Sequence, residues 1–335
     1  MRTSLSDRPV IAVTMGDPAG IGAEVTLKSL LRRPAGADFL IIGDHTIFRA
    51  SSRRFGISLP LHVIKDIRCV DFNKRSVNFL DCSLLKSNDI RYGRMDLRYA
   101  KASMAYIRKA LLAVSLGKAD AIVTAPVNKA AIRKAGFKWM GHTEMIAKSD
   151  GCARYAMMLI GGPLRVALAT THIPLRAVHR SISAGRIKDI IILTDEALRR
   201  YFGIRRPRIG VASINPHAGE GGFVGDEERK IILPAVKAAL KKGVNVTGPS
   251  SSEALFYAAY RGDIDAVVSM YHDQGLTPLK MISQREGVNL TLGLSFVRTS
   301  PSHGTAYDIA GKGIADEGSM RNAVMLAADM VKRRR

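Results

Sequence analysis

Three of the eight histidines lie a few residues beyond apolar, strand-like runs: His172 closes LRVALATTH, His217 closes IGVASINPH and His272 closes AVVSMYH. In an open α/β sheet, ligands bind outside the carboxyl ends of the strands. Three neutral imidazoles gathered there make a divalent-metal site with room for water or substrate, and the ion serves as a Lewis acid on a substrate oxygen. The absence of a nearby cysteine argues against a closed structural zinc site. Imidazole suits zinc, cobalt and nickel alike, so the ligands alone leave the ion open. Asp273 beside His272, and Asn215 and Glu220 near His217, are candidates to orient the rings. A lone histidine after a strand is more often a hydrogen-bonded loop residue. Three in one topological position weigh the other way.

A second group of residues suits an anion. GHTE (Gly141 to Glu144) places His142 and Thr143 at an expected helix start, where backbone N–H groups favour negative charge. Alternatively, Thr143 is simply the helix cap. Lys280 follows HDQGLTPLK, read as a post-strand loop, and Arg298 follows VNLTLGLSFVR. Both are expected to face one cleft, where a compact and a forked cation would hold a phosphate. Taken singly, either is as readily a solvated surface charge. Asn289 is polar within an apolar strand and needs a partner if buried.

Three glycine-rich loops remain. GDPAGIG (Gly16 to Gly22) has neither GxGxxG spacing nor the Lys-Ser/Thr of a P-loop, so it reads as a tight strand-to-helix turn. GEGGFVGDEE (Gly219 to Glu228) suits a flexible lid, an anion-binding turn or a plain loop before a helix. HGTAYDIAGKG (His303 to Gly313) says little by pattern alone.

The elements that must position these groups alternate. Strands are expected at 10–15, 39–42, 61–64, 121–123, 209–212, 266–270 and 288–292. Helices are expected at 24–31, 99–116, 187–201, 226–241, 253–260 and 322–332. Residues 66–95 look irregular. YAMMLI and LRVALA flank Gly161-Gly162-Pro163, a hairpin signal, so the sheet is not wholly parallel. The alternation predicts an α/β fold with mostly parallel sheet.

The composition fits that class. The chain has 335 residues, 47% of them hydrophobic, enough for one large or two ordinary domains. No apolar run approaches the roughly 20 residues that span a bilayer. The N-terminus lacks a signal-like apolar segment, and the three cysteines are too scattered for a disulfide frame. A reducing cytoplasm is the expected compartment. The net charge of +22 is the odd feature. Its basic pairs are dispersed, only Lys332 to Arg335 form a run, and aromatic residues do not interleave with them. A solvated basic surface biased toward anionic substrates therefore outweighs nucleic-acid binding.

Taken together, VTMGDPAGIGAE, TAPVNK, GHTE, ATTHIPL, NPHAGEGG, MYHDQG, VNLTLGL and RTSPSHGTAYDIAGKG resemble the signatures of the 4-hydroxythreonine-4-phosphate dehydrogenase family of vitamin B6 synthesis. They keep the family's order from residue 12 to residue 313. The resemblance implies oxidation of the C3 hydroxyl of 4-phosphohydroxy-L-threonine by NAD or NADP. Loss of carbon dioxide then gives 3-amino-2-oxopropyl phosphate.

The same resemblance implies metal ligands at His172, His217 and His272, with zinc, magnesium or cobalt as the ion. It implies substrate contacts at His142, Thr143, Lys280, Asn289 and Arg298. HGTAYDIAGKG is similar to the NAD loop of isocitrate and isopropylmalate dehydrogenases, which points to His303, Gly304, Thr305 and Asp308 as cofactor contacts. Lys280 and Asp273 are the candidates for general base.

The implied fold is two α/β/α domains around a cleft: residues 1–140 with about 304–335, then about 141–303 carrying the metal ligands. The implied assembly is a homodimer with its site at the interface, His172 and His217 from one subunit and His272 from the other. A sister activity on 4-phospho-D-erythronate or 4-phospho-D-threonate fits the same motifs. A nucleic-acid-binding protein on a decayed enzyme fold is the distant alternative, against which the intact histidines stand.

Overall fold

The computed structural model describes residues 8–72, 76–138 and 141–334. The chain divides into two compact units, one comprising residues up to Ala153 with Leu294–Arg333, the other Arg154–Gly293. The first stretch runs β1 (Val10–Thr14), α1 (Gly22–Leu31), β2 (Asp38–Gly43), α2 (His45–Phe55), β3 (Leu61–Ile64), β4 (Val77–Asp81), α3 (Leu97–Ser115), β5 (Ala121–Thr124), α4 (Lys129–Lys134) and α5 (His142–Ser149). The second unit follows with β6 (Ala156–Gly161), β7 (Leu164–Leu168), α6 (Val178–Ser181), α7 (Ala184–Phe202), β8 (Ile209–Ala212), α8 (Leu233–Leu240), β9 (Val246–Ser250), α9 (Ser252–Arg261), β10 (Ala266–Ser269), α10 (His272–Ser283) and β11 (Val288–Leu292). The chain then returns to the first unit through β12 (Val297–Pro301) and α11 (Gly318–Arg334).

In the first unit the strand order is β3-β4-β2-β1-β5-β12, every pair parallel. VIAVT of β1 is buried throughout, as a central parallel strand covered on both faces must be. Asp96 caps α3 by accepting from the Arg98 N–H, and the helix turns Tyr99, Tyr106 and Ile107 inward.

In the second unit the order is β11-β6-β7-β10-β8-β9. Here β6 runs antiparallel to both neighbours and the remaining pairs are parallel. The expected hairpin is present: Gly161 faces Leu164, and Gly162 takes φ +53 in the two-residue turn, where a Cβ would be strained. Leu159, Leu164, Val166, Leu168, Val267, Leu276 and Leu279 form its core. Each such side chain contributes about 1.5–3 kcal/mol on burial.

Several expectations need correction. The units divide at 153/154 and 293/294 rather than near 140/141 and 303/304, because α5 packs on α3 and β12 joins β5. The stretch read as irregular contains β4. Its Asn78 is buried yet satisfied, donating to the Asp71 carbonyl and accepting from the Asp71 N–H, so polarity there did not mean a loop. HDQGLTPLK is not a loop but most of α10, with Pro278 inside the helix. Arg298, expected after the run VNLTLGLSFVR, lies in a separate strand, β12. No helix among the described residues is long and apolar enough to cross a membrane.

Candidate active site

The three post-strand histidines all belong to the second unit. Past the end of β7 the ladder to β10 continues: Ala169 N–H donates to the Ser269 carbonyl at 2.8 Å, and Thr170 donates to the Met270 carbonyl through its N–H at 3.2 Å and its hydroxyl at 2.7 Å. Two residues further along each chain stand His172 and His272, their ring centroids 5.4 Å apart. His272 is the first residue of α10, and its Nδ1 lies 2.7 Å from Asp273 Oδ1. That bond leaves Nε2 for another partner, the arrangement of a carboxylate-oriented metal histidine.

His217 is placed differently. After β8 the chain enters a left-handed path in which His217, Ala218 and Glu220 hold φ of 50°, 57° and 42° between glycines. Left-handed backbone costs an L-residue about 1–2 kcal/mol, so this loop is held from outside. Glu228 holds it: the buried carboxylate accepts from the N–H groups of Ile214 and Asn215, each at 2.8 Å, and from the Asn215 amide at 2.9 Å. Asn215 also donates to Glu227 at 2.7 Å. Asn215 therefore anchors the loop that carries His217.

Among the described residues no three His, Cys, Asp or Glu side chains form a metal-holding group. One chain pairs His172 with His272 and does not complete a set of three with His217. The pair's donor chemistry fits a divalent ion: two imidazoles side by side, one already oriented by a carboxylate. Lys280 is exposed on α10. Asn289 on β11 has a buried Oδ1 with no hydrogen-bond partner among the described residues, as expected of a group that meets a ligand.

The first unit gathers the other expected substrate contacts. Arg298 has no exposed surface; its guanidinium donates to Thr143 Oγ1 at 3.1 Å and to Thr124 Oγ1 at 2.6 Å. Burial pushes it down to about 9, so it stays cationic at neutral pH. Thr143 is not a helix cap, since Gly141 holds that position and α5 starts at His142. Both ring nitrogens of His142 are buried with no hydrogen-bond partner among the described residues. Lys129, unremarked within TAPVNK, joins this cluster: a Cβ added at Gly141 would lie 3.6 Å from its Cε, and burial pushes its ammonium down. The helix start, Arg298, Lys129 and an unsatisfied imidazole together suit an anionic group.

Burial pushes the His142 imidazole well below the ordinary 6.5, and the cations Arg298 and Lys129 push it further the same way. Folded His142 stays neutral, while the unfolded chain takes up a proton as pH falls through 6.5. Its neutral state therefore weighs against folding only below that pH, by about 1.4 kcal/mol per pH unit. We expect His142→Asn to lose less melting temperature than the parent between about pH 7 and about pH 5. Parallel melting curves for the two proteins would contradict this.

The two glycine loops of the first unit meet. Ile21 N–H donates to the Thr305 carbonyl at 3.1 Å, and a Cβ at Gly20 would come within 2.9 Å of the same oxygen, so only glycine permits this approach. Tyr307 donates to Asp17 Oδ2 at 2.7 Å, while Asp17 Oδ1 accepts from Ala19 N–H at 2.9 Å. GDPAGIG is thus the seat of the HGTAYDIAGKG loop as well as a tight turn. On that loop, His303 Nε2 is buried with no hydrogen-bond partner among the described residues, a side chain at Gly304 would meet open space, and Asp308 is exposed.

Comparison with known proteins places this geometry. Residues 35–327 match the family described as pyridoxal phosphate biosynthetic protein PdxA. The 4-hydroxythreonine-4-phosphate dehydrogenase of Geobacter metallireducens is 41% identical over 97% of this chain and 96% of its own length. The D-threonate 4-phosphate dehydrogenase of Cupriavidus necator is 43% identical over 97% and 98%. A crystal structure of 4-hydroxythreonine-4-phosphate dehydrogenase from Klebsiella pneumoniae superposes with a TM-score of 0.87 at 40% identity, covering 97% of this chain and 99% of the other. A family match over most of the chain and near-complete relatives above 40% identity leave one assignment: the chain belongs to the PdxA family.

Proposed function

We propose that the protein is a divalent-metal-dependent NAD(P) dehydrogenase that oxidises 4-phosphohydroxy-L-threonine at C3 and releases carbon dioxide to give 3-amino-2-oxopropyl phosphate. The observation that carries this reading is the His172–His272 pair at the carboxyl ends of neighbouring parallel strands. The PdxA membership and a relative named for that activity support it. The site is shared by two copies of the chain: His172 and His272 come from one, and His217 from the other.

A divalent ion bound by these imidazoles supplies Lewis acidity toward a substrate oxygen. The protein's own groups do the rest. His142, Thr143 and the cations behind them take the phosphate, and Asn289 offers its unsatisfied oxygen to a substrate donor. The C3 hydride passes to the nicotinamide held along the HGTAYDIAGKG loop, and the hydroxyl proton to a base. Asp273 is engaged in orienting His272, which leaves Lys280 as the base. The β-keto acid then loses its carboxyl group as carbon dioxide.

A second reading, oxidation of 4-phospho-D-threonate or its erythronate analogue, is favoured by the Cupriavidus relative, whose identity is no lower than that of the 4-hydroxythreonine enzyme. Both substrates present a phosphate and an oxidisable hydroxyl; they differ in the amino group. Assays of each with NAD and with NADP separate them. We expect 4-phosphohydroxy-L-threonine to have the highest kcat/KM. A higher value for 4-phospho-D-threonate would transfer the assignment to the second reading.

A further inference from the structure

The side chain of Gln274 closes a gap between the two chain segments that lead to His217 and His272. The pairing of β10 with β8 ends at Val268 opposite Val211. Two residues beyond, Met270 and Ser213 no longer face each other as a ladder pair, and the Gln274 amide stands between them. Its Oε1 accepts from the Met270 N–H at 2.7 Å, and its Nε2 donates to the Ser213 carbonyl at 2.5 Å and to Ser252 Oγ, at the start of α9, at 2.8 Å.

The partners fix the amide's orientation. Met270 offers a donor and Ser213 an acceptor, so only oxygen toward Met270 and nitrogen toward Ser213 satisfies both. The amide works as one extra peptide group, prolonging the β10–β8 ladder by a rung. Four residues past Ser213 lies His217, and two past Met270 lies His272. Glu228 holds the left-handed loop from Ile214 onward, and the Gln274 amide fixes Ser213, the residue from which that loop departs.

We propose that Gln274 is a positioning residue for the metal centre: its amide sets the distance between the His217 loop and the start of the helix bearing His272. This rests on the reading that those histidines bind metal. Because each chain gives His272 to one site and His217 to the other, a loosened brace misplaces ligands at both.

The test is Co2+ binding by the full-length, demetallated protein, read by equilibrium dialysis and by the visible absorption of the cobalt complex. Gln274→Leu removes all three bonds. Gln274→Glu keeps the size but sets a carboxylate oxygen against the Ser213 carbonyl, and it serves if the leucine variant fails to fold. Both should bind Co2+ about 10–100-fold more weakly than the parent, with an altered cobalt spectrum. Leu276→Ala, a core truncation on the same helix, should lower the melting temperature and leave Co2+ affinity and spectrum unchanged.

Parent-like Co2+ binding by either Gln274 variant would overturn the proposal. Equal weakening in Leu276→Ala would do the same, by reducing the role to general stability. If the parent protein and His272→Ala both fail to bind Co2+, the metal reading falls and this proposal with it.

Discussion

Mixing His172→Ala chains with His217→Ala chains, each inactive alone, should restore about a quarter of wild-type activity. His172 and His272 stand ring to ring in one chain, and His217 does not complete their set. In the symmetric dimer we propose, each site takes His172 and His272 from one chain and His217 from its partner. A mixed dimer of these variants holds one doubly damaged site and one intact site. Random pairing makes half the dimers mixed, so one site in four is whole. His172→Ala with His272→Ala is the control: both lesions fall on the same half-site, and every site of a mixed dimer lacks a ligand. Recovery in the control with none in the first mixture would assign His272, not His217, to the partner. No recovery in either, with mixed dimers demonstrated, would place all three ligands in one chain.

Arg298→Ala should lower kcat/KM for the phosphorylated substrate by roughly a thousandfold. The guanidinium lies behind the start of α5, holding the hydroxyls of Thr143 and Thr124 and lending positive charge to the space before His142. Truncating one member of a buried, charge-assisted set costs about 2–5 kcal/mol, most of it from the groups left behind. Arg298→Lys keeps the charge but cannot span both threonines, so it should recover only part of the loss. A dephosphorylated substrate, already poor, should lose little more in either variant. Unchanged kinetics for the phosphorylated substrate in a folded Arg298→Ala protein would remove Arg298 from the site.

What could be read in the sequence followed local signals. IGVA and VNLTL are unbroken strand runs, and the structure bounds them at Ile209–Ala212 and Val288–Leu292 as expected. The Gly-Gly-Pro hairpin was equally plain. The failures share a cause, in that tertiary contacts overrode local chemistry. Gly275 and Pro278 made α10 look like a loop, yet Gly275 is there because a Cβ would lie 2.7 Å from Val166 Cγ1, where the helix packs on β7. The sequence marks Arg298 only as the end of a strand-like run, and the partners that hold its guanidinium are not local. The threonines that accept its hydrogen bonds come from segments 174 and 155 residues away. The three histidines were identifiable one by one, but which two would meet depended on β10 lying between β7 and β8. Gln274 carried no signal at all, since its role exists only once β10 and β8 are side by side.

The most direct test is nicotinamide reduction with 4-phosphohydroxy-L-threonine by enzyme stripped of metal and then reloaded. Stripped enzyme should be essentially inactive, and stoichiometric divalent metal should restore turnover in the parent but not in His217→Ala. Full turnover by thoroughly stripped enzyme would contradict the account.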